Sequence, residues 1–296
     1  MLSNIINQGG TFGVPIIGSQ VTQGNVYFVR PYNGSDSNSG KSPQTALKTL
    51  SKALSMCVAN QNDTVYLLAE HASAAYTSDY LTENLDWNKN LVHLIGIGTG
   101  TMLGQRARIC QTGVFTTAMF TVSASGCIFH NLEFIFADVA STTTTGIGAL
   151  LCTGSRNTFS NCQISGIGHA DMDVADAYSL KLSAAEENTF RNCYIGLDTI
   201  GRGTADNSEI VFASGCTRNI FENCLMVTLA EANTHQFVKI PATAIDRFVL
   251  FKNCTFINAI QSTGVSMLEA LDVTAGTSPS GLVLLDFCTL VGAAAW

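Results

Sequence analysis

Charge is scarce in this chain. Only 12% of its 296 residues are Asp, Glu, Lys or Arg, against about 25% in an ordinary soluble domain. The net charge is −7 and no basic cluster interrupts the sequence. A surface that tracks a phosphate backbone needs a concentrated positive patch, so nucleic acid is excluded as a partner. Long apolar runs are missing too. None approaches the ~20 residues that cross a bilayer, so no membrane is expected. The first residues, MLSNIINQGGTFGVPIIGSQ, lack the positive start of a secretory leader. The ten cysteines form neither a CxxC pair nor a zinc-finger spacing. Set in apolar, alternating segments, they read as reduced, buried thiols of a protein folded in a cytosol. No GxSxG elbow and no HExxH motif occurs, and His71, His93, His130 and His235 fall in no motif.

Ser, Thr, Asn, Gly and Ala stand where charge is missing. They make a surface that is polar without being ionic, which costs less to desolvate against another protein. The length fits one large domain or two ordinary ones. A repeat decides the architecture. NTFSNCQI (157–164) returns as NTFRNCYI (188–195) and NIFENCLM (219–226). Aligned on the second Asn, the copies place Asn131, Asn161, Asn192, Asn223 and Asn253 at intervals of 30, 31, 31 and 30 residues. A degenerate sixth copy has Phe287 in that position, 34 residues on. Two before it stand Phe129, Phe159, Phe190, Phe221, Phe251 and Leu285. One after it come Leu132, then Cys162, Cys193, Cys224, Cys254 and Cys288; three after it, Phe134, Ile164, Ile195, Met226, Phe256 and Leu290.

Strand parity interprets the pattern. Residues i and i+2 share a face, so Phe goes with Asn, and Cys with the apolar residue beyond it. Adjacent Asn and Cys both point inward only if the chain turns a corner between them, and Asn tolerates the left-handed backbone of such a corner. The parity argument therefore expects an inward Asn ladder beside a Cys stack. Each copy also carries an earlier strand: AMFTVS (118–123), ALLCTG (149–154), YSLKLS (178–183), EIVFAS (209–214), FVKIPA (237–242) and MLEALDV (267–273). Strand, turn, strand, corner, strand is one coil of a parallel β-solenoid, with coils ~4.8 Å apart. The period-two, β-branched and aromatic core rejects helical repeats of similar length.

The N-terminal third adds strands at 26–30, 63–70, 90–98 and 107–111. Ser42 is a plausible N-cap, Pro43 a first-turn residue, and Leu47, Leu50, Leu54 and Cys57 share one helical face. A helix over about 43–59 would cover the open end of the first coil. The stretch NGSDSNSGKSPQTALKTLSKAL, through Gly34, Ser35, Asp36, Asn38, Gly40, Ser42 and Pro43, resembles the opening of right-handed parallel β-helix proteins of the pectate-lyase-like superfamily. With the Asn repeat, the resemblance covers about residues 24–292. It implies an all-β fold: a single-stranded right-handed parallel β-helix over 24–296, with regular repeats over about 118–292, an N-terminal capping helix and an extended arm at 1–23. The superfamily includes polysaccharide lyases and hydrolases, bacteriophage tailspikes and non-enzymatic virion proteins.

Several stretches invite a chemical reading. GSDSNSGKS has five residues between Gly34 and Gly40 where a phosphate loop has four, and Asp36 repels phosphate. Asp36, Asn38 and Gly40 lack the remaining oxygen ligands of a calcium loop. Both are read as a turn, with no cofactor and no metal. The loops after the third strand hold His169, Asp171, Asp173, Asp176, Asp198, Arg202, Asp206 and Glu209. Glycan hydrolysis needs two carboxylates. If the chain were an enzyme, Asp171, Asp173, Asp198 and Arg202 would carry the reaction. The polygalacturonase pattern implied by the resemblance is incomplete, because GHA stands where Gly-His-Gly belongs. Residues 1–29 carry no charge, yet Ile5, Ile6, Phe12, Val14, Ile16 and Ile17 make the segment apolar. An arm of that kind docks on another subunit or a scaffold. The expectation is a non-enzymatic structural protein of a bacteriophage virion, folded in the host cytoplasm. It would be a capsid decoration or cement protein, a homotrimer held to the major capsid protein or another virion protein by its arm. A short tailspike or receptor-binding protein, with a host glycan as partner, is the alternative.

Overall fold

The computed structural model describes residues 24–70, 84–98, 107–110, 117–136, 146–203, 206–231, 233–260, 267–273 and 281–296. The chain winds into a parallel β-solenoid with three long sheets. One coil runs from a leading strand, Gly148–Cys152, through a middle strand, Thr158–Ser160, to a trailing strand, Gln163–Ser165. The next repeats the plan with Tyr178–Leu182, Thr189–Arg191 and Tyr194–Arg202. The middle sheet has nine strands, from Val26–Val29 to Leu282–Asp286, and the other two have seven each. The expected arm, with Ile5, Ile6, Phe12, Val14, Ile16 and Ile17, lies outside the described residues.

Stacking is strictly in register. Phe129, Phe159, Phe190, Phe221, Phe251 and Leu285 pair in sequence along the middle sheet. Their neighbours in the trailing sheet, Phe134, Ile164, Ile195, Met226, Phe256 and Leu290, do the same. The five phenylalanine rings stack at 4.6, 4.7, 4.7 and 4.8 Å. That spacing equals the coil pitch and lies within the favourable range for offset aromatic pairs. Cys162, Cys193, Cys224 and Cys254 are buried beside them and Cys288 is half-buried. Each thiol donates to the carbonyl of the phenylalanine one coil back, at 3.3–3.6 Å. Cys suits this column because it is small, apolar and still able to donate. Burial pushes the Cys224 and Cys288 thiols up, away from reactivity.

The corner follows the middle strand. Asn131, Asn161, Asn192, Asn223 and Asn253 have φ between 51° and 55°, and Phe287 in the sixth copy has 51°. Their side chains do not point inward as parity expects. Asn192, Asn223 and Asn253 are exposed, and only Asn131 is buried. The reason is local. A left-handed residue forms the apex of the bend, so its Cβ points outward while its neighbour enters the core. Within this outer row Asn161 Nδ2 donates to Asn131 Oδ1 at 3.1 Å.

The inner ladder is built by the first Asn of each N-x-F-x-N-C repeat. Asn157, Asn188 and Asn219 are essentially fully buried. Their Oδ1 atoms accept from the backbone N–H of Cys127, Asn157 and Asn188 at 2.8–3.0 Å. Their Nδ2 atoms donate to the carbonyls of Ala124, Gly154 and Ala185 at 2.8–3.0 Å. Each amide thus holds the preceding coil at two points, satisfying backbone groups that the turn leaves unpaired. Val249 occupies this position in the next coil, and the ladder ends there.

At the N-terminal end the expected helix over 43–59 is divided. A 3-10 turn covers Pro43–Thr45, with Ser42 as its cap, and helix α1 covers only Leu50–Met56. Between them Leu47 runs extended and bridges to Val29. Asp36 accepts from Lys48 N and Thr49 N, both at 2.9 Å, and Thr49 then caps the helix. Leu50, Ala53 and Leu54 pack α1 onto the first coils. A short strand, Leu85–Trp87, too brief to alternate visibly, joins the leading sheet and buries Trp87 completely.

Three substitutions separate these roles in urea melts. Asn188→Ala leaves the buried N–H of Asn157 unpaired, leaves Gly154 O only the Cys152 thiol, and should cost about 2 kcal/mol. Asn192→Ala removes the short polar side chain that lets Asn hold a left-handed corner and should cost roughly 1 kcal/mol. Asn192→Gly should be close to neutral. The reverse order, Asn192→Ala worse than Asn188→Ala, would refute the inner ladder.

Candidate functional site

The loops that leave the trailing sheet gather His169, Asp171, Asp173, Asp176 and Asp206. The strand Tyr194–Arg202 slips register against Leu225–Ala230 between Leu197 and Gly201. That irregularity turns Arg202 into the interior, where it is fully buried with Glu209 and His235. Arg202 Nη2 lies 3.3 Å from Glu209 Oε1, and Nη1 donates to Ile200 O at 2.6 Å. Ser179 Oγ donates to Glu209 Oε2 at 2.5 Å. Gly196 packs against this carboxylate with φ of 102°, and a β-carbon there would meet Glu209 Cδ at 2.8 Å. The neighbouring backbone therefore needs glycine to admit the buried acid.

His235 completes the network. Its Nδ1 donates to Asn207 Oδ1, and its Nε2 accepts from Thr228 Oγ1 at 2.9 Å. The Asn207 amide is oriented by its other end, which donates to Asp173 Oδ1 at 2.7 Å. Burial, and then the Arg202 charge, hold the imidazole well below its ordinary value. The ring is neutral, and the positive charge of Arg202 is balanced by Glu209 alone. Arg202 Nε has no partner among the described residues.

The four residues that sequence reasoning picks as an enzyme's machinery are not assembled for it. Arg202 is paired in the interior and does not face the loops. Asp173 accepts from Gly203 N at 2.8 Å as well as from Asn207, tying its loop to the next coil. Asp171 lies within a short 3-10 turn, Ala170–Met172, capped by His169, and has a half-exposed side chain. Asp198 is exposed on its strand. Two further loop acids, Asp176 and Asp206, share Lys239, whose Nζ lies 3.0 Å from each. Burial opposes that ammonium charge, but the bonds to Asp206 and Asp176 outweigh it and raise its pKa. Among the described residues, the acids left without an arginine or lysine partner on this flank include Asp171, Asp198 and Glu231, the last beside Gly201 and Gly203. Sequence reasoning passed over Glu209 and His235 as site members. Their only signal was the apolar strand that follows each, IVF after Glu209 and QFVKI after His235.

The other candidates resolve into architecture. Asp36 serves the turn before α1, and Asn38 Nδ2 donates to Ala46 O at 2.9 Å. A β-carbon on Gly34 would lie 2.1 Å from Leu47 O, so this loop packs on its own backbone. His93 Nδ1 accepts from Ile128 N at 3.1 Å, and His130 Nδ1 lies 2.8 Å from Ser160 Oγ; His71 is outside the described residues. Among the described residues, no group of His, Cys, Asp and Glu could hold a metal ion, and no helix is long and apolar enough to cross a membrane.

No protein-family profile matches the sequence, and no curated protein does. Among solved structures, the chain is similar to pectate lyase Pel9A at 15% identity and a TM-score of 0.59. The match covers 90% of this chain and 63% of that one, so the chain spans less than two thirds of that enzyme's length. It is also similar to pectin methylesterase from Aspergillus niger (15% identity, 94% and 87% covered, TM-score 0.48). PemA, the pectin methylesterase from Erwinia chrysanthemi, gives 15% identity, 83% and 82% covered, and a TM-score of 0.47. The likeness to Pel9A defines the class of fold: this chain is a right-handed parallel β-helix of the pectate-lyase kind.

The buried histidine makes stability depend on pH. The unfolded chain takes up a proton near the ordinary value of 6.5, whereas the folded chain resists it. Stability that His235 contributes above about pH 6.5 is lost as pH falls below it, by at most ~1.4 kcal/mol per pH unit. His235→Gln should flatten the dependence of urea-melt stability between about pH 6.5 and 5. An unchanged slope would show that the ring is protonated in the folded chain.

Proposed function

We propose that this protein is a non-enzymatic structural solenoid that works through its surfaces, and that its setting is a bacteriophage virion. The observation that carries the first half is the use already made of the chemically capable residues. Arg202 is balanced by buried Glu209, Asp173 anchors a loop, and Lys239 bridges Asp176 and Asp206. Groups committed to the fold in this way are not poised to exchange protons with a substrate. The virion setting is supported by the resemblance of residues 34–43, by the low charge and by the apolar segment 1–23. Such a surface associates by burying apolar and neutral polar area. On this reading the protein is a capsid decoration protein, homotrimeric and attached through Ile5, Ile6, Phe12, Val14, Ile16 and Ile17.

A second reading, a short tailspike or receptor-binding protein that binds or cleaves a host glycan, is favoured by one observation. Asp171 and Asp198 remain exposed on the loop flank. The parallel β-helix also serves pectate lyase Pel9A, which supplies precedent for polysaccharide chemistry on this fold.

Two experiments separate the readings. Deleting residues 1–23 should leave a folded protein that no longer joins particles; unchanged incorporation would end the decoration reading. The wild type should release no fragments from host polysaccharide. Cleavage that disappears in the Asp171→Asn, Asp198→Asn double variant would establish the enzyme instead.

A further inference from the structure

Among the described strands, Val26–Val29 lies at the edge of the middle sheet. An edge presents unpaired backbone groups unless something covers it. Here the chain covers it with the segment that follows. Phe28 N donates to Gly40 O, Leu47 N to Phe28 O and Arg30 N to Leu47 O, all at 2.8 Å.

The turn that begins this cover, residues 31–34, is pinned from the next coil by one carboxylate. Glu70 follows the strand Thr64–Leu68, which pairs with Val26–Val29. Its Oε1 accepts from Arg30 Nε and Asn33 Nδ2, both at 2.8 Å. Its Oε2 accepts from Tyr32 N at 2.9 Å and Asn33 N at 3.2 Å. Burial opposes the Glu70 charge, but the bonds from Asn33, Tyr32 and Arg30 outweigh it and hold its pKa below the ordinary carboxylate value.

Asn33 is the one asparagine of the sequence that precedes a glycine. Packing demands that glycine. A β-carbon on Gly34 would lie 2.1 Å from Leu47 O and 2.5 Å from Arg30 O. The demand has a chemical consequence. With no side chain in the way, Gly34 N can approach the side-chain carbonyl carbon of the residue before it.

We propose that Asn33 is a site of spontaneous deamidation, that Glu70 restrains the reaction, and that the product loosens the cover over the edge strand. Gly34 N bonds to Asn33 Cγ, and the Cγ–Nδ2 bond breaks. The proton from Gly34 N leaves with the departing nitrogen as ammonia. Water then opens the cyclic imide to aspartate or to its β-linked isomer. The sum is amide plus water giving carboxylate plus ammonium, so water is the only co-reactant.

The folded turn holds both reacting groups back. Gly34 N donates to Arg30 O at 2.7 Å, and Asn33 Nδ2 donates to Glu70. Burial gives no protection, because Asn33 is exposed. Attack waits for the turn to open locally, and the bonds to Glu70 set how often it does. Once formed, the new carboxylate stands where Nδ2 donated. Two like charges then face each other across the former bond, and attraction becomes repulsion. The change is irreversible, so copies of the protein accumulate it with age.

Peptide mapping by mass spectrometry, after incubation of the full chain in warm, mildly alkaline buffer, reads the reaction as a gain of one mass unit on the fragment carrying Asn33. The chain unfolded in urea should convert fastest and the folded wild type slowest. Glu70→Gln keeps the size of the side chain but loses its charge, and should convert about tenfold faster than wild type. Asn33→Asp, the product itself, should keep the wild-type circular dichroism while the Phe28 and Arg30 amides exchange about tenfold faster. Wild type converting as fast as the unfolded chain, or Glu70→Gln converting no faster than wild type, overturns the restraint by Glu70. No gain in folded Glu70→Gln while the unfolded chain converts fully overturns the site. Unchanged exchange in Asn33→Asp overturns the loosened cover.

Discussion

Every coil of this protein rests on the next, and identical positions meet one strand spacing apart. That constraint governs the sequence. A residue type survives at a position only if it can touch its own kind at ~4.8 Å. Phenylalanine can, by offset stacking, and cysteine can, by donating its thiol to the carbonyl one coil back. Asparagine can, because its amide both donates and accepts. Lysine or glutamate stacked on itself cannot, because like charges directly opposite repel. Where charge does occur on the stack it alternates, as in Arg156–Glu187–Arg218 and Arg191–Glu222–Lys252. The scarcity of charged residues is thus a consequence of the architecture as well as a property of the surface.

The same constraint limits where chemistry could sit. Positions inside the coils are committed to stacking, so reactive groups belong to the loops that leave the trailing sheet. There the register slip at Leu197 and Gly201 draws Arg202 inward, and Glu209, His235, Asn207, Ser179 and Asp173 close around it. A buried, hydrogen-bonded cluster of this kind stabilises one arrangement of the loops. It offers little to a ligand. What stays available for function is the polar outer surface, with the exposed Asp171, Asp198 and Glu231.

The sequence makes much of this visible because the repeat is physical. In-register stacking forces a constant interval, so the phenylalanine, cysteine and aliphatic columns could be read directly. The role of each Asn was harder. Both asparagines of N-x-F-x-N-C recur at the same spacing, and only backbone conformation distinguishes the corner from the ladder. Parity assumes a regular strand and fails at a left-handed residue, which is why the corner asparagines were expected inside. The helix before the first coil was expected to run longer because its apolar spacing is continuous. Leu47 instead pairs with Val29, and Asp36 fixes the break. Arg202 resembled a loop residue, since nothing in the sequence marks the irregularity that buries it.

The inner asparagine ladder carries the central claim, that the repeated polar residues hold coils together and perform no chemistry. Amide hydrogen exchange reads it residue by residue. The backbone N–H groups of Cys127, Asn157 and Asn188 lie in turns, yet each donates to a buried side-chain oxygen of the following coil. They should exchange as slowly as the amides of the middle strands. Exchange at the rate of ordinary exposed turns would contradict the account.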